Sequence, residues 1–434
     1  MTGGPNEERR PALPPHTRRP TPLPVVDSPR IAALKPGGTA QFWRTVEAEG
    51  TPLIEPDDDP AYRIVTFLWR DTGQRAVLLH ANKLTDYNDL APSLLRRLDG
   101  TDVWHLSYRL RADWRGTYAL SPLTEAPVEP AVWRGPDRAA WQRLRAGAVT
   151  DPLNPRTFPN KFGGPDLSLA ELPDAPSQPW WPAVPGTRAG MVAVARLNSE
   201  ILGNARTIWT YTPPGYRDRG EPYPLLVLFD GDVWGRSLAI RHTLDNLIAA
   251  GQIPPMIALL VDSIDVRTRS VELACDHEFT RFLTDELLPW ATGRWRLTAD
   301  PARTIVAGQS LGGLTAVFAA TRVPERFGNV LSQAGSFWWP GGGEFGAEPC
   351  WLTRHLAAAP RLPIAFDLEV GLLEWELLEP TRRLRDVLTA KGYPLTYREY
   401  HGGHDSACWR GGIADGLRAL TARWSTVSSE VACV

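Results

Sequence analysis

A chain of 434 residues exceeds one ordinary hydrophobic core, so two domains are expected. Hydrophobic residues at 43% and charged residues at 22% describe a globular protein, and a formal net charge of −2 gives no reason to expect nucleic acid as a partner. Cys275, Cys350, Cys408 and Cys433 lack the spacing of a disulfide framework or a metal site, so reduced thiols and no metal or cofactor are expected. Residues 1–38 are rich in proline and arginine, as in Arg18-Arg19-Pro20-Thr21-Pro22, and read as a disordered tail. They lack the apolar core of a signal peptide, and no run approaches membrane-spanning length, which points to the cytoplasm and away from a membrane.

From residue 39 to 128 the chain reads as short strands broken by turns. Tyr62–Trp69 is a strand turned by Asp71-Thr72-Gly73, with Ala76–His80 as its expected partner. Asp102–Arg109 alternates with period two, so one face is expected to be buried, and Asp113–Tyr118 leads into a last strand. About 90 residues of this kind suggest an immunoglobulin-like β-sandwich with no nucleophile, base or metal site of its own. Residues 129–190 form a connector. Asp137–Ala148 is a helix with Trp141 and Leu144 on one face, and the proline-rich segments around Asp151–Pro155 and Pro173–Pro185 are expected to lie over both domains or to wall a site.

The second domain spans residues 191–427. Val192–Leu197 and Arg206–Thr212 read as antiparallel edge strands. The unbroken apolar runs Leu225–Phe229 and Met256–Val261 read as strands buried on both faces, with helices at Leu238–Ala250 and Phe279–Trp290. Thr304-Ile305-Val306, Val330-Leu331, Ile364–Val370 and Leu395–Tyr400 continue the sheet, and helices at Thr381–Ala390 and Ile413–Trp424 accompany them. Alternating strands and helices with fully apolar strands mean a mostly parallel sheet covered on both sides. Gly308-Gln309-Ser310-Leu311-Gly312 sits between a β-branched strand and an apolar helix, where a nucleophile elbow belongs, so the fold reads as an α/β-hydrolase. The small residues let strand and helix pass closely while the strained serine stands out over the sheet edge.

A serine hydroxyl needs a base, and in this fold the chain order is serine, acid, histidine. His355 falls in a helix, whereas His401 and His404 follow the last strand. Gly402-Gly403 would let the loop fold back over the elbow, which favours His404 over His401. Glu374 comes first in the loop after the strand ending at Val370, with Glu376 and Glu379 further on; Asp405 is too close in sequence to reach its neighbour's ring. The oxyanion donors expected are the backbone N–H groups of Leu311 and of Asp232, the latter made reachable by Gly231, and Trp234 is expected to wall the cleft.

Several stretches together resemble one family. Phe229-Asp230-Gly231 with Trp234, Asp262-Ser263-Ile264-Asp265 with Arg269 and Glu272-Leu273, Gly308–Gly313, Ser332–Pro340, and Gly402-Gly403-His404-Asp405 with Cys408–Gly412 resemble the enterochelin (enterobactin) esterases. So do Gly100–Trp104, Trp114–Tyr118 and Asp151–Pro155 in the first half, and the likeness extends over nearly all the chain beyond residue 40. The resemblance implies a cytoplasmic serine esterase that opens the ester backbone of a ferric tri-catecholate siderophore. It implies Ser310 as nucleophile, His404 as base, Glu374 as a family glutamate in Gly-x-x-Glu, and Arg269 as an arginine facing the anionic substrate. The competing reading of Arg269 is a salt bridge to Glu272. The chain departs from the family in its proline-rich tail and in Val370. A general carboxylesterase or acyltransferase is the alternative enzyme, and a binding module with a degenerate hydrolase the alternative outside enzymes. The sandwich and connector are expected to close one side of the cleft, with Trp104, Trp114 and Arg115 as the residues to weigh, Trp104 already reading as core.

Overall fold

The computed structural model describes residues 12, 15, 17–125, 133–134, 138–161, 163–340 and 349–430. Its first half carries helices α1 (Pro29–Ala32), α2 (Thr39–Glu49) and α3 (Arg138–Ala146) and strands β1 (Leu53–Pro56), β2 (Tyr62–Arg70), β3 (Ala76–Ala81), β4 (Arg96–Arg97), β5 (Val103–Arg111), β6 (Arg115–Leu123), β7 (Thr157–Phe158) and β8 (Leu167–Glu171). They form two four-stranded antiparallel sheets, ordered β1-β2-β5-β4 and β3-β6-β8-β7. The expected hairpin of β2 with β3 does not form. The turn at Asp71-Thr72-Gly73 carries the chain from one sheet to the other, so β2 pairs β5 and β3 pairs β6. Val65, Phe67, Leu106 and Tyr108 from one sheet meet Val77, Leu79, Tyr118 and Leu120 from the other.

Two elements were hidden from a strand-by-strand reading. Helix α2 buries Phe42, Trp43 and Val46 against Leu53, Leu68 and Val103, so β5 is covered on both faces rather than one. The connector supplies β7 and β8 to the second sheet, extending the sandwich well past residue 128. The tail also differs from its expected disorder. Val26 and Arg109 exchange backbone bonds across to Ser107 and Pro24, the Ser28 hydroxyl caps α1 and donates to Glu55 at 2.5 Å, and Ala12 donates its N–H to the Ser270 carbonyl. An extended proline-rich segment has its φ angles fixed in advance, so pinning it by a few such bonds costs little entropy. Residues 1–11 and Cys433 lie outside the described residues.

The second half builds an eight-stranded sheet from β9 (Met191–Ser199), β10 (Asn204–Thr212), β11 (Leu225–Phe229), β12 (Ile257–Val261), β13 (Thr304–Gln309), β14 (Asn329–Gln333), β15 (Ala365–Gly371) and β16 (Leu395–Tyr400). Its order is β16-β15-β14-β13-β11-β12-β10-β9, with β9 and β10 antiparallel and the other six strands parallel. Helices α4 (Ile240–Ala249), α5 (Val266–Glu272), α6 (His277–Arg281), α7 (Leu288–Thr292), α8 (Leu311–Arg322), α9 (Trp351–Ala358), α10 (Leu378–Ala390) and α11 (Ser406–Glu430) complete it. Every residue of β11, β12, β13 and β14 is buried, because apolar clusters cover the sheet on both faces. The two-sheet sandwich followed by an α/β-hydrolase is the architecture the sequence implied. Among the described residues no helix is long and apolar enough to cross a membrane.

Candidate active site

Ser310 joins β13 directly to α8 with φ 60° and ψ −122°, a conformation that a non-glycine residue holds only when its surroundings enforce it. The enforcement is visible. A Cβ on Gly308 would come within 2.5 Å of the Gly312 carbonyl carbon, and one on Gly313 within 2.6 Å of the Ser332 hydroxyl. Strand and helix touch backbone to backbone, and the serine between them is forced outward onto the C-terminal edge of the sheet.

The loops after β15 and β16 meet at that same edge. Glu374 is wholly buried, and its Oε2 lies 2.5 Å from His404 Nδ1. Its other oxygen accepts the Gly371 N–H at 3.0 Å and faces the Tyr400 hydroxyl at 3.2 Å. Trp409 Nε1–H donates to that hydroxyl, and its ring stands edge-on to the His404 imidazole with centroids 4.8 Å apart. Burial lowers the His404 pKa below its usual value; Glu374 opposes this, and Lys161 and Lys83 add to it. The ring is thereby neutral at pH 7, the form that accepts a proton. His401 points elsewhere, with Nδ1 2.9 Å from Asp113 of the sandwich. Glu376 pairs with Lys83 at 2.5 Å, and Asp405 accepts bonds from Thr117 and from the Ala407 N–H at the start of α11.

The turn after β11 lies against the elbow, since a Cβ on Gly312 would meet Phe229 Cβ at 3.5 Å and Asp230 Oδ2 at 3.7 Å. Asp230, at φ 56°, takes a bidentate pair from Arg269 at 2.6 and 2.8 Å and a bond from the Ser263 hydroxyl. Arg269 also donates to the Gln309 carbonyl, 3.2 Å away, so it ties the turn carrying Asp232 to the strand that leads into Ser310. The salt bridge of Arg269 to Glu272 is not what forms: Glu272 is taken by the buried Arg206 at 2.9 Å. Asp232 follows in the same turn, where burial raises its carboxyl pKa.

Trp234 and the three sandwich residues weighed for the cleft sit elsewhere. Trp234 is only 2% exposed and donates Nε1–H to Gln309 Oε1 at 2.7 Å, so it packs behind the elbow instead of walling the cleft. A widened helical turn over Val233–Ser237 swings it inward, and a buried indole needs the acceptor that Gln309 provides. Gly231 is needed for close passage, since a Cβ there would lie 2.5 Å from the Leu260 carbonyl carbon. Trp104 and Trp114 are buried in the sandwich, and Arg115 is held by Glu171 at 2.6 Å, so none of the three faces a cleft. No group of three or more histidine, cysteine or acidic side chains suited to a metal occurs among the described residues.

Comparison with known proteins matches both halves. Residues 64–181 fit the family described as "Enterochelin esterase, N-terminal" and residues 199–420 the family described as "Putative esterase". The iron(III) enterobactin esterase of Dickeya dadantii (strain 3937) is 38% identical over 410 residues, covering 88% of this chain and 93% of that protein. The chain belongs to the enterochelin esterase family. The ferric enterobactin esterase of Salmonella typhimurium superposes with a TM-score of 0.77 at 34% identity, over 89% of this chain and 99% of that one. The enterobactin esterase of Shigella flexneri, crystallised in the presence of enterobactin, gives 0.73 at 32%, over 90% and 99%.

In this chain the sandwich holds the histidine loop, a role its sequence did not signal. Asn82 Nδ2 donates to the His404 carbonyl at 2.8 Å, and Asp405 Oδ2 accepts both the Thr117 N–H at 2.6 Å and the Thr117 hydroxyl at 2.8 Å. The backbone of Gly403 presses so closely on Lys83 that a Cβ there would come within 2.6 Å of the lysine's own Cβ. The buried Asp405 carboxylate thus caps a helix and fastens two domains beside His404. Asp405→Ala should lower the melting temperature by several degrees and kcat on p-nitrophenyl butyrate about tenfold, as lost caps and buried hydrogen bonds cost about 1–3 kcal/mol. Asp405→Asn, which keeps an acceptor for the cap, should fall between. Unchanged kcat in Asp405→Ala would show that His404 needs no support from the sandwich.

Proposed function

We propose that this protein is a serine esterase that hydrolyses the ester bonds of iron-loaded, enterobactin-type tri-catecholate trilactones in the cytoplasm, so that iron can be released. The observation that carries the reading is the Glu374–His404 pair on the same sheet edge as the strained Ser310, in a chain whose relatives are named for this substrate. Ser310 Oγ attacks the lactone carbonyl while His404 Nε2 takes its proton. Glu374 holds the opposite nitrogen, which fixes the tautomer and stabilises the imidazolium. The oxyanion is received by the N–H groups of Leu311, at the start of α8, and of Asp232, whose turn Arg269 fastens against the elbow. The serine hydroxyl of the substrate backbone leaves with the proton from His404, and water then opens the acyl-enzyme by the same steps in reverse. Arg269 also presents positive charge to the anionic complex, its side chain being about a quarter exposed.

The test is to incubate the protein with ferric and iron-free trilactone and weigh the products. The linear trimer, heavier by one water, should appear first, followed by shorter fragments. Turnover of p-nitrophenyl butyrate with both trilactones intact would leave a general carboxylesterase and overturn the substrate assignment.

A further inference from the structure

A row of polar side chains lies one step behind the elbow. Gln309 of β13, Gln333 of β14, Glu369 of β15 and Arg398 of β16 stand opposite one another in register, so they share one face of the sheet. Two positions back on that face, Ala307 and Leu331 belong to the apolar cluster beneath α11. Gln309, Gln333 and Glu369 are buried, and each bonds the next. Gln309 Nε2 donates to Gln333 Oε1 at 2.8 Å, and Gln333 Nε2 donates to Glu369 Oε1 at 2.7 Å. Trp234 closes the near end on Gln309. Arg398 closes the far end, 3.6 Å from Glu369 Oε2 and bidentate on Asp367.

Gln333 is the member that reaches both halves of the site. Its carbonyl accepts the Ser310 N–H at 3.0 Å, and its Nε2 also donates to the Trp409 carbonyl at 2.9 Å. Trp409 lies in the first turn of α11, just after His404 and Asp405. Its ring stands against the His404 imidazole, and its indole N–H holds Tyr400, which faces Glu374. One side chain therefore joins the strand beside the nucleophile to the helix that backs the base. The join is tight. A Cβ on Gly412 would collide with the Glu369 carboxylate, so α11 rests directly on the row. Gly308–Gly313, Ser332–Pro340 and Cys408–Gly412, three stretches singled out in the sequence, meet here.

Stability alone does not explain the row. Burial pushes the Glu369 carboxyl up to about 7 against the pull of Arg398 and Gln333, so the carboxylate is less favourably placed in the fold than in water. Apolar side chains of similar volume would fill the same space without that penalty. What a hydrogen-bonded row adds is direction, because each bond holds its partners at one distance and angle. We propose that Gln333 is a positioning residue that sets the spacing of Ser310 and His404 by tying β13 and β14 to α11. The inference rests on the roles proposed above for those two residues. Hydroxyl and imidazole must come within about 2.6–3.2 Å for the proton to pass, and a misplacement of about 1 Å slows such a step severely.

Gln333→Met in the full-length protein keeps the reach of the side chain and removes its bonds to Gln309, Glu369 and Trp409. Assays run well below the melting temperature, with active sites counted by organophosphonate titration, so that only folded enzyme is scored. The kcat on p-nitrophenyl butyrate should fall about thirtyfold, equivalent to about 2 kcal/mol, with KM within about twofold of wild type. Phosphonylation of Ser310 should slow by a similar factor, since it draws on the same nucleophile and base. Asn329→Ala is the control. Asn329 is buried at the opposite end of β14, where it donates to the Pro301, Ala302 and Thr304 carbonyls. That variant should lose melting temperature as Gln333→Met does, yet keep kcat within about twofold of wild type. Gln333→Asn, one methylene too short to serve both neighbours, should lose about tenfold in kcat and stands in should the methionine variant not fold. Wild-type kcat in either Gln333 variant, or an equal loss in Asn329→Ala, would overturn the inference and leave the esterase in place. A wild-type protein that cleaves neither the nitrophenyl ester nor the trilactone would overturn the proposed chemistry, and this inference with it.

Discussion

Ser310→Ala should reduce kcat on p-nitrophenyl butyrate by about five orders of magnitude, and His404→Ala by about as much. The double variant should be scarcely worse than either single one, because nucleophile and base act as one unit and removing either abolishes the same step. The residual rate comes from binding and the oxyanion donors, which stay in place when the side chain is trimmed. Folding should be little affected. Alanine at position 310 still faces φ 60° and ψ −122°, a strain that the contacts of Gly308 and Gly313 already impose on the serine. An organophosphonate should label the wild-type protein at one serine and leave Ser310→Ala unlabelled. His401→Ala is the control: its ring pairs with Asp113 in the sandwich, so a change within about threefold is expected. Near wild-type turnover by Ser310→Ala, or a His401 variant worse than the His404 one, would sink the assignment.

The elbow was legible because its signal is local. Gly308, Gly312 and Gly313 meet steric demands from residues within a few positions or on adjoining strands, and the β-branched run before Ser310 and the apolar run after it declare strand and helix separately. The parallel sheet was legible for the same reason, since strands buried on both faces are written as unbroken apolar runs. What escaped was decided by pairing at long range. Nothing within Tyr62–Arg70 says that its partner is β5 instead of β3, and nothing in Trp234 separates a cleft wall from a tryptophan bonded to Gln309 75 positions away. Lys161 was invisible for another reason. A lone lysine in a proline-rich connector has no pattern, and only the fold sets it over Trp409. Asp405, set aside because it neighbours His404, turns out to bind Thr117 and the Ala407 N–H. Its use is to fasten, and that use depends on a domain whose sequence carries no catalytic mark.

Glu374→Gln should cost about three orders of magnitude in kcat without disturbing the fold, and the reason lies in which oxygen each neighbour binds. Oε1 accepts the Gly371 N–H and faces the Tyr400 hydroxyl, both donors, so a glutamine would place its carbonyl there. Its NH2 group would then occupy the Oε2 position, 2.5 Å from His404 Nδ1. An amide N–H facing Nδ1 makes that nitrogen an acceptor and moves the imidazole proton to Nε2. A protonated Nε2 in a neutral ring cannot take the proton of Ser310, so the base is disabled by its tautomer while its position is kept. The same loss should therefore appear on a nitrophenyl ester and on the trilactone, and it should fall on kcat more than on KM. Glu376→Gln supplies the contrast, since the Glu376 carboxylate pairs with Lys83, and its kcat on the small ester should stay within about threefold of wild type. Glu374→Gln with full activity would mean that Ser310 and His404 work as a dyad, and that the buried carboxylate serves only to hold the Gly371 turn and Tyr400 in place.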